Sequence, residues 1–224
     1  MQIGLIGGIG PAATDFYYKR IIASYASHNR NLELTTVHAD SSTLLDNLVR
    51  NDANTQVAIY QKLTGRLKVA GAGCVVITSI AGHFCIKLFE ESAPLPVIDM
   101  IDVSNKAIKK SGYERIGILG TKTVMETKFY GGVPSADVIA PKGEQLINVH
   151  DAYLAMAKSG SASHEQKDIF ANAIDQLRYE EKVDAIMLGG TDLALVYSGD
   201  NSDFPIIDCA AIHCDAVVDW ALNN

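Results

Sequence analysis

Short, almost wholly apolar runs alternate along the chain with longer stretches whose apolar residues recur at helical spacing. Strands that are apolar at nearly every position are typical of parallel sheets covered by helices on both faces. The pattern therefore predicts an α/β fold. The predicted strands cover 3–6, 32–39, 74–79, 96–100, 115–121, 137–140, 184–188 and 205–208. The predicted helices cover 11–25, 53–70, a stretch after 83, 102–111, 147–158, 164–181 and 211–222.

The segment 115–121 repeats the glycine and apolar pattern of the opening segment, which predicts two similar lobes. We expect one lobe to contain 1–100 and 205–224 and the other to contain 101–204. Two buried strands, one in each half, end in small or hydroxyl residues: one at Thr78 and Ser79, the other at Gly189 and Gly190. Ligands of open α/β sheets bind at the carboxyl ends of strands. The sequence therefore predicts a small-molecule site in a cleft between the lobes.

Charge and composition exclude several classes of protein. The formal net charge of the 224 residues is −7, whereas nucleic-acid binding requires a basic face. No apolar stretch approaches the length of a membrane span, and the first residues lack the pattern of a signal peptide. The four cysteines show no Cys-x-x-Cys spacing, and we interpret them as reduced thiols of a cytoplasmic protein.

Two motifs have alternative interpretations. The segment from Gly8 to Ala13 fits the dinucleotide pattern G-x-G-x-x-A, and Asp40 follows the second strand as a ribose acceptor would. Glycines also make tight strand-to-helix turns that bind no ligand. No two of the six histidines have metal-ligand spacing, so no metal site is predicted. His83 and His213 each follow a strand, where a histidine either faces a site or packs at the start of a helix.

Several segments, in this order and spacing, resemble the aspartate/glutamate racemase superfamily, most closely its aspartate racemase branch. The resemblance covers nearly the whole chain. It implies two flavodoxin-like lobes, a homodimer, and racemisation of an amino acid without a cofactor, by two cysteines on opposite sides of the substrate. The matching segments are Gly4–Pro11, Gly71–Ala72, Gly117–Thr121 with Met125–Glu126 and Phe129–Tyr130, Leu188–Asp192, and Pro205–Asp208 with Ile212–His213.

The chain departs from the family pattern at both catalytic positions. Ser79 stands where the first cysteine is expected and Gly190 where the second is expected. A serine hydroxyl needs a neighbouring base to lose its proton, and glycine supplies neither an acid nor a base. The family's asparagine and threonine after the first cysteine are replaced by Ile80 and Ala81. The resemblance places the substrate-binding positions at Gly8, Gly10, Ile80, Ala81, His83, Thr121, Thr191 and Asp192.

Three functional hypotheses follow from these departures. The first is a racemase-family enzyme whose catalytic groups have moved, for example to His83, Cys85 or Cys209. The second is a non-catalytic descendant that binds an amino-acid-like small molecule or a protein in the old cleft. The third is other carbanion chemistry, such as decarboxylation, which requires a single proton donor. The sequence does not support the two-cysteine mechanism itself.

Overall fold

The computed structural model describes residues 1–197 and 202–224. The chain forms two compact units, the first made of Met1–Met100 with Ala210–Asn224 and the second of Ile101–Cys209. Among the described residues, no helix combines the length and the apolar character that crossing a lipid bilayer requires.

Three parallel strands form the sheet of the first unit. They are β1 (Ile3–Gly7), β2 (Leu34–His38) and β3 (Cys74–Ile77), and β1 lies in the middle of the order β2-β1-β3. Every residue of β1 and β3 is buried, whereas β2 is partly exposed along the sheet edge. In register, Ile3 lies opposite Leu34 on one side and Cys74 on the other.

Helices of the first unit begin at local signals in the sequence. Pro11 occupies the first turn of its helix, where the absence of an N–H costs nothing. The side chains of Asp40 and Asp52 each accept a hydrogen bond from a backbone N–H at the start of the next helix. The helices are α1 (Pro11–Ser27), α2 (Ser41–Val49), α3 (Ala53–Val69) and α4 (Ile86–Glu90), with a 3₁₀ turn at Ala81–Cys85.

The second unit contains a four-stranded parallel sheet. Its strands are β4 (Arg115–Gly120), β5 (Asp137–Ile139), β6 (Ala185–Gly189) and β7 (Ile206–Asp208), in the order β5-β4-β6-β7. The helices are α5 (Met100–Ser111), α6 (Lys122–Glu126), α7 (Gly143–Ser159) and α8 (His164–Tyr179), with a 3₁₀ turn at Thr191–Leu195. After β7 the chain returns to the first unit as α9 (Cys209–Asn223).

The two units repeat one strand arrangement, which agrees with the internal repeat seen in the sequence. β1, β2 and β3 take the places that β4, β5 and β6 take in the second sheet. The repeat extends to the next segment: the N–H of Val75 donates to the carbonyl of Pro96, and the N–H of Ile186 donates to that of Pro205, both at 2.9 Å. The prediction of two similar α/β units with parallel sheets is confirmed.

The structure corrects several details of the predicted elements. The segment 96–100 is not a full strand, because only Val97 bridges β3, opposite Val75. The strand predicted to return to the first lobe, 205–208, pairs instead with β6 in the second unit. Only the helix after it, α9, returns. The short helices α2 and α6 were not predicted.

Candidate functional site

The end of β3 places Ser79 in a buried turn. Only 5% of its surface is exposed, and its carbonyl accepts hydrogen bonds from the N–H of Gly82 and from the ring of His83. Among the described residues, none forms a hydrogen bond with the Ser79 hydroxyl. A serine becomes a nucleophile or a base only when a neighbouring group takes its proton. The described residues around Ser79 provide no such group.

Both ring nitrogens of His83, the histidine nearest to Ser79 in the sequence, are engaged in hydrogen bonds with the backbone. Nδ1–H donates to the carbonyl of Ser79 at 2.7 Å, and Nε2 accepts from the backbone N–H of Met100 at 3.4 Å. The ring is buried, and this loss of solvation lowers the pKa of His83. His83 is therefore a neutral imidazole that fixes the turn after β3.

Beside His83 lies a second buried histidine, His213 of α9, with a ring-to-ring distance of 6.0 Å. Its Nε2–H donates to the carbonyl of Ile98 at 2.7 Å, and its Nδ1 accepts from the hydroxyl of Tyr17 at 2.7 Å. Burial lowers the pKa of His213 to about 3. His83 and His213 together hold the segment 98–100, where the chain leaves the first unit.

The surroundings of the cysteines disfavour a thiolate. Burial raises the pKa of Cys85 and of Cys209 to about 12, and that of Cys74 to about 11. All four cysteines are buried. A thiol with such a pKa stays protonated at neutral pH and is a poor base or nucleophile. The hypothesis that catalysis moved to His83, Cys85 or Cys209 therefore gains no support from their surroundings.

A chain of buried amides and a phenol positions the 3₁₀ turn that follows Ser79. Asn47 donates to Gln56, Gln56 donates to the Tyr60 hydroxyl, and that hydroxyl donates to the carbonyl of Gly82. A Cβ at Gly82 would lie 2.5 Å from the Tyr60 oxygen, so this contact requires glycine. Ile80 and Ala81 are buried in the same turn, at 1% and 4% exposure. The turn is thus fixed by the core beneath it.

In the second unit, Tyr153 occupies the space in which a side chain at position 190 would lie. A Cβ added to Gly190 would overlap Cε2 of Tyr153 and lie 2.6 Å from Cζ and 2.9 Å from the hydroxyl oxygen. Both residues are buried, and Tyr153 belongs to α7. Backbone and ring leave no room for a thiol on the residue at the end of β6.

The phenol of Tyr153 donates a hydrogen bond of 3.0 Å to Oδ2 of Asp192, in the turn after β6. Burial and the neighbouring carboxylate raise the pKa of Tyr153 well above its usual range. The phenol therefore stays protonated and acts as a donor, never as a base at neutral pH. Thr191 and Asp192 are 3% and 2% exposed. The end of β6 is filled by a hydrogen-bonded tyrosine–aspartate pair.

Packing explains the glycines of the first turn. The Ser41 hydroxyl donates to the carbonyl of Gly8, and a Cβ at Gly8 would lie 2.8 Å from the carbonyl oxygen of Ala39. Gly10, with φ of 75°, precedes α1 in a conformation that favours glycine. Asp40 caps α2 by accepting from the N–H of Thr43 at 2.8 Å. The dinucleotide hypothesis is not needed to account for any of these residues.

The remaining predicted position, Thr121, follows β4 and caps α6 by accepting from the N–H of Val124 at 3.4 Å. Within the first unit, the structure gathers the predicted residues at the ends of β1 and β3. Within the second unit, it gathers them at the ends of the adjacent strands β4 and β6.

Sequence reasoning missed Tyr153, which lies 37 positions before Gly190 and carries no motif of its own.

Comparison with known proteins agrees with this fold. Residues 6–217 match the family model described as Asp/Glu/Hydantoin racemase. A putative Asp/Glu racemase from Yersinia pestis is 26% identical, with a TM-score of 0.85 over 99% of this chain and 100% of that one. An aspartate racemase homologue from Pyrococcus horikoshii is 23% identical, with a TM-score of 0.83 over 99% of each chain. An aspartate racemase from Picrophilus torridus is 19% identical, with a TM-score of 0.77 over 99% of this chain and 94% of that one. The family match spans nearly the whole chain, and the chain belongs to the Asp/Glu/hydantoin racemase family.

Proposed function

We propose that this chain has lost two-thiol racemisation and binds a small, amino-acid-like molecule without converting it. Inversion at an α-carbon requires an acid and a base on opposite faces of a planar intermediate. The resemblance assigns those roles to positions 79 and 190, and here they hold a serine and a glycine. The chain would therefore still bind an amino-acid-like molecule but would no longer racemise it.

The observation that carries the proposal is the ring of Tyr153 in the volume of a side chain at Gly190. A side chain at position 190 would need the space that the Tyr153 ring occupies. The phenol is buried and is held there by its hydrogen bond to Asp192. This packing argues against a catalytic side chain at position 190.

The surroundings of Ser79 likewise argue against a catalytic base at position 79. The imidazole beside it is neutral, and both of its nitrogens are already engaged, by the Ser79 carbonyl and the Met100 N–H. Ser79 therefore has the ordinary acidity of an alcohol and does not remove an α-proton at a useful rate. Neither position supplies a base.

Proton exchange at Cα tests the loss of activity directly. The purified protein is incubated in D₂O with L-aspartate and, separately, with L-glutamate, and deuterium at Cα is followed by ¹H NMR. We expect no exchange above the buffer control, while a family member with both cysteines exchanges fully in parallel. Exchange that requires the native fold would contradict the proposal, even if no inversion accompanied it.

Ligand binding is tested separately by thermal unfolding with each enantiomer of aspartate and glutamate. A ligand that binds only the folded chain raises the melting temperature as its concentration rises. We expect a shift with at least one of these compounds and no consumption of it. The homodimer implied by the resemblance stays a prediction, which light scattering on the purified chain checks.

A further inference from the structure

At the carboxyl end of β2, the first unit contains a cavity of about 210 Å³ that is lined by none of the site positions implied by the family resemblance. One wall is a stripe of α3, formed by Ile59, Lys62, Leu63 and Arg66 at spacings of three and four residues. Side chains with this spacing share one face of a helix. The opposite wall is the end of β2 and the start of α2. Its lining residues are His38, Ala39, Asp40, Thr43 and Leu44.

The charge of α3 is unusual for this protein. The helix carries Lys62, Arg66 and Lys68 and no acidic residue, although the whole chain has a formal net charge of −7. Lys62 and Arg66 stand at i and i+4, an arrangement in which like charges repel each other. Within residues 1–197 and 202–224, no acidic side chain forms an ion pair with either of them. Two neighbouring cations therefore face one cavity without a protein counter-ion.

Asp40 is the acidic residue of this cavity, and it is engaged elsewhere. Its carboxylate accepts hydrogen bonds from the backbone N–H and the hydroxyl of Thr43 and from the hydroxyl of Ser42. These bonds lower the pKa of Asp40 to about 2 and tie its charge to the start of α2. Asp40 therefore serves as a helix cap and not as the partner of Lys62 and Arg66.

A cavity in the second unit provides the comparison. It has about 370 Å³, and its three basic side chains are paired with acidic side chains of the same cavity. Arg115 and Lys128 both pair with Asp137, while Lys142 pairs with Glu181. The positive charges of that cavity are therefore balanced by carboxylates of the protein, whereas Lys62 and Arg66 beside α3 have no such ion pairs within the described residues.

We propose that the cavity beside α3 is a binding site for a small organic dianion, whose charged group pairs with Lys62 and Arg66. A guanidinium and an ammonium four residues apart match the oxygens of a phosphate or of a dicarboxylate. Ala39, Leu44 and Leu63, each at most 5% exposed, provide an apolar floor for the carbon part of the ligand. The volume is below the range of drug-sized ligand sites, which restricts the ligand to a few heavy atoms beyond its charged group.

Neither Ser79 nor Gly190 lines this cavity, and the proposal stands whether or not the chain racemises an amino acid. Its occupancy bears on α2 and α3, which also hold the buried amides beneath the turn after Ser79. A dianion bound there would stabilise the same two helices.

Calorimetric titration of the full chain with inorganic phosphate and, in a second arm, with succinate tests the proposal at constant ionic strength. We expect one probe to bind with a stoichiometry of one per chain, and the stronger arm identifies the charged group. Lys62→Gln and Arg66→Gln each remove a charge-assisted hydrogen bond and should weaken binding by about tenfold. Lys68→Gln is the matched control, since it removes one charge from the same helix but lies outside the cavity lining.

The control should bind as the unaltered chain does. Equal weakening by Lys68→Gln would overturn the proposal, because it would indicate a diffuse charge effect instead of a site. Absence of binding by both probes at millimolar concentration would overturn it as well. Circular dichroism of each variant verifies that the fold is kept, and Lys62→Arg, which keeps the charge, should retain binding.

Discussion

Tyr153 and Gly190 form a complementary pair in which the ring of one residue fills the side-chain volume that the other lacks. A Cβ at position 190 would lie 2.6 Å from Cζ of Tyr153, well inside van der Waals contact. The phenol cannot easily turn away, because it is buried and donates to Asp192. Glycine at 190 and tyrosine at 153 are therefore expected to depend on each other.

Gly190→Ala should destabilise the protein by about 1–3 kcal/mol, the usual cost of forcing an extra carbon into a packed core. The same substitution should cost much less in a Tyr153→Ala background, where the ring is gone. In a Tyr153→Phe background, which keeps the ring, it should cost as much as in the unaltered chain. Urea unfolding of the full set of variants gives the coupling energy between the two positions.

Gly65→Ala is the control for this series, because its Cβ would meet no atom within 4 Å and the residue lies inside α3. Alanine is favoured over glycine in a helix, so this variant should be as stable as the parent or more stable, by up to about 1 kcal/mol. If Gly190→Ala matched Gly65→Ala, Tyr153 would be free to move and the pair would not be coupled.

Acidification should destabilise the first unit through its two buried histidines. The pKa of His83 and that of His213 are lowered in the folded state, so below the ordinary histidine pKa of 6.5 the unfolded chain binds protons that the folded chain does not. Their contribution is complete above pH 6.5 and is lost as the pH falls towards about 3, the folded pKa of His213. Within that window His213 should remove up to about 1.4 kcal/mol of unfolding free energy per pH unit, and His83 acts in the same direction.

Urea unfolding between pH 6.5 and 5 measures this dependence. The groups that face the two imidazoles are Asp99, with Oδ1 4.0 Å from Nε2 of His83, the Lys87 ammonium that pairs with Asp99, and the Tyr17 hydroxyl. In His213→Gln, the pH dependence of the unfolding free energy should correspond to the uptake of nearly one proton fewer on unfolding than in the unaltered chain. This holds whatever the effect of the substitution on stability at neutral pH. His164→Gln, which removes an exposed histidine, is the control variant measured in parallel. An unaltered slope in His213→Gln would contradict the assignment.

All four cysteines should resist a thiol reagent in the native protein and react fully after unfolding in urea. Burial keeps their sulfur atoms from solvent, and it raises the pKa of Cys85 and Cys209 to about 12, so that little thiolate forms. Labelling followed by mass spectrometry of peptides identifies each residue. Rapid native labelling of Cys85 or Cys209 would revive the hypothesis that a cysteine has taken over catalysis.

Much of the fold was predictable because apolar strands and glycine turns are local signals. α2 was missed although its cap is visible in the sequence: Asp40 precedes Thr43 by three residues, and its side chain accepts from that N–H. The apolar pattern of 32–39 by itself indicates only that Asp40 follows a strand. The segment 96–100 has strand composition but contributes one bridge through Val97, since pairing depends on its neighbours as well as on its residues.

The candidate site was predictable only in part, because some of its contacts join segments that are distant in the sequence. Ser79 and Gly190 were located by the strands that end beside them. Tyr153 was not, because its contact with Gly190 joins α7 to the end of β6 across 37 residues, and no pattern within either segment records it. The engagement of both nitrogens of His83 likewise depends on Met100, which a later segment brings back to the turn.

The return of α9 to the first unit has a consequence for the order in which the chain is completed during synthesis. The second unit, Ile101–Cys209, is one continuous stretch, whereas the first lacks Ala210–Asn224 until the whole second unit has been synthesised. Until α9 leaves the ribosome, Tyr17 and Ile98 have no His213 to bond, and the amino group of Met1 cannot donate to Ala221. Domains generally fold in the order of synthesis. We therefore expect the first unit, although most of it is synthesised first, to complete its packing after the second unit.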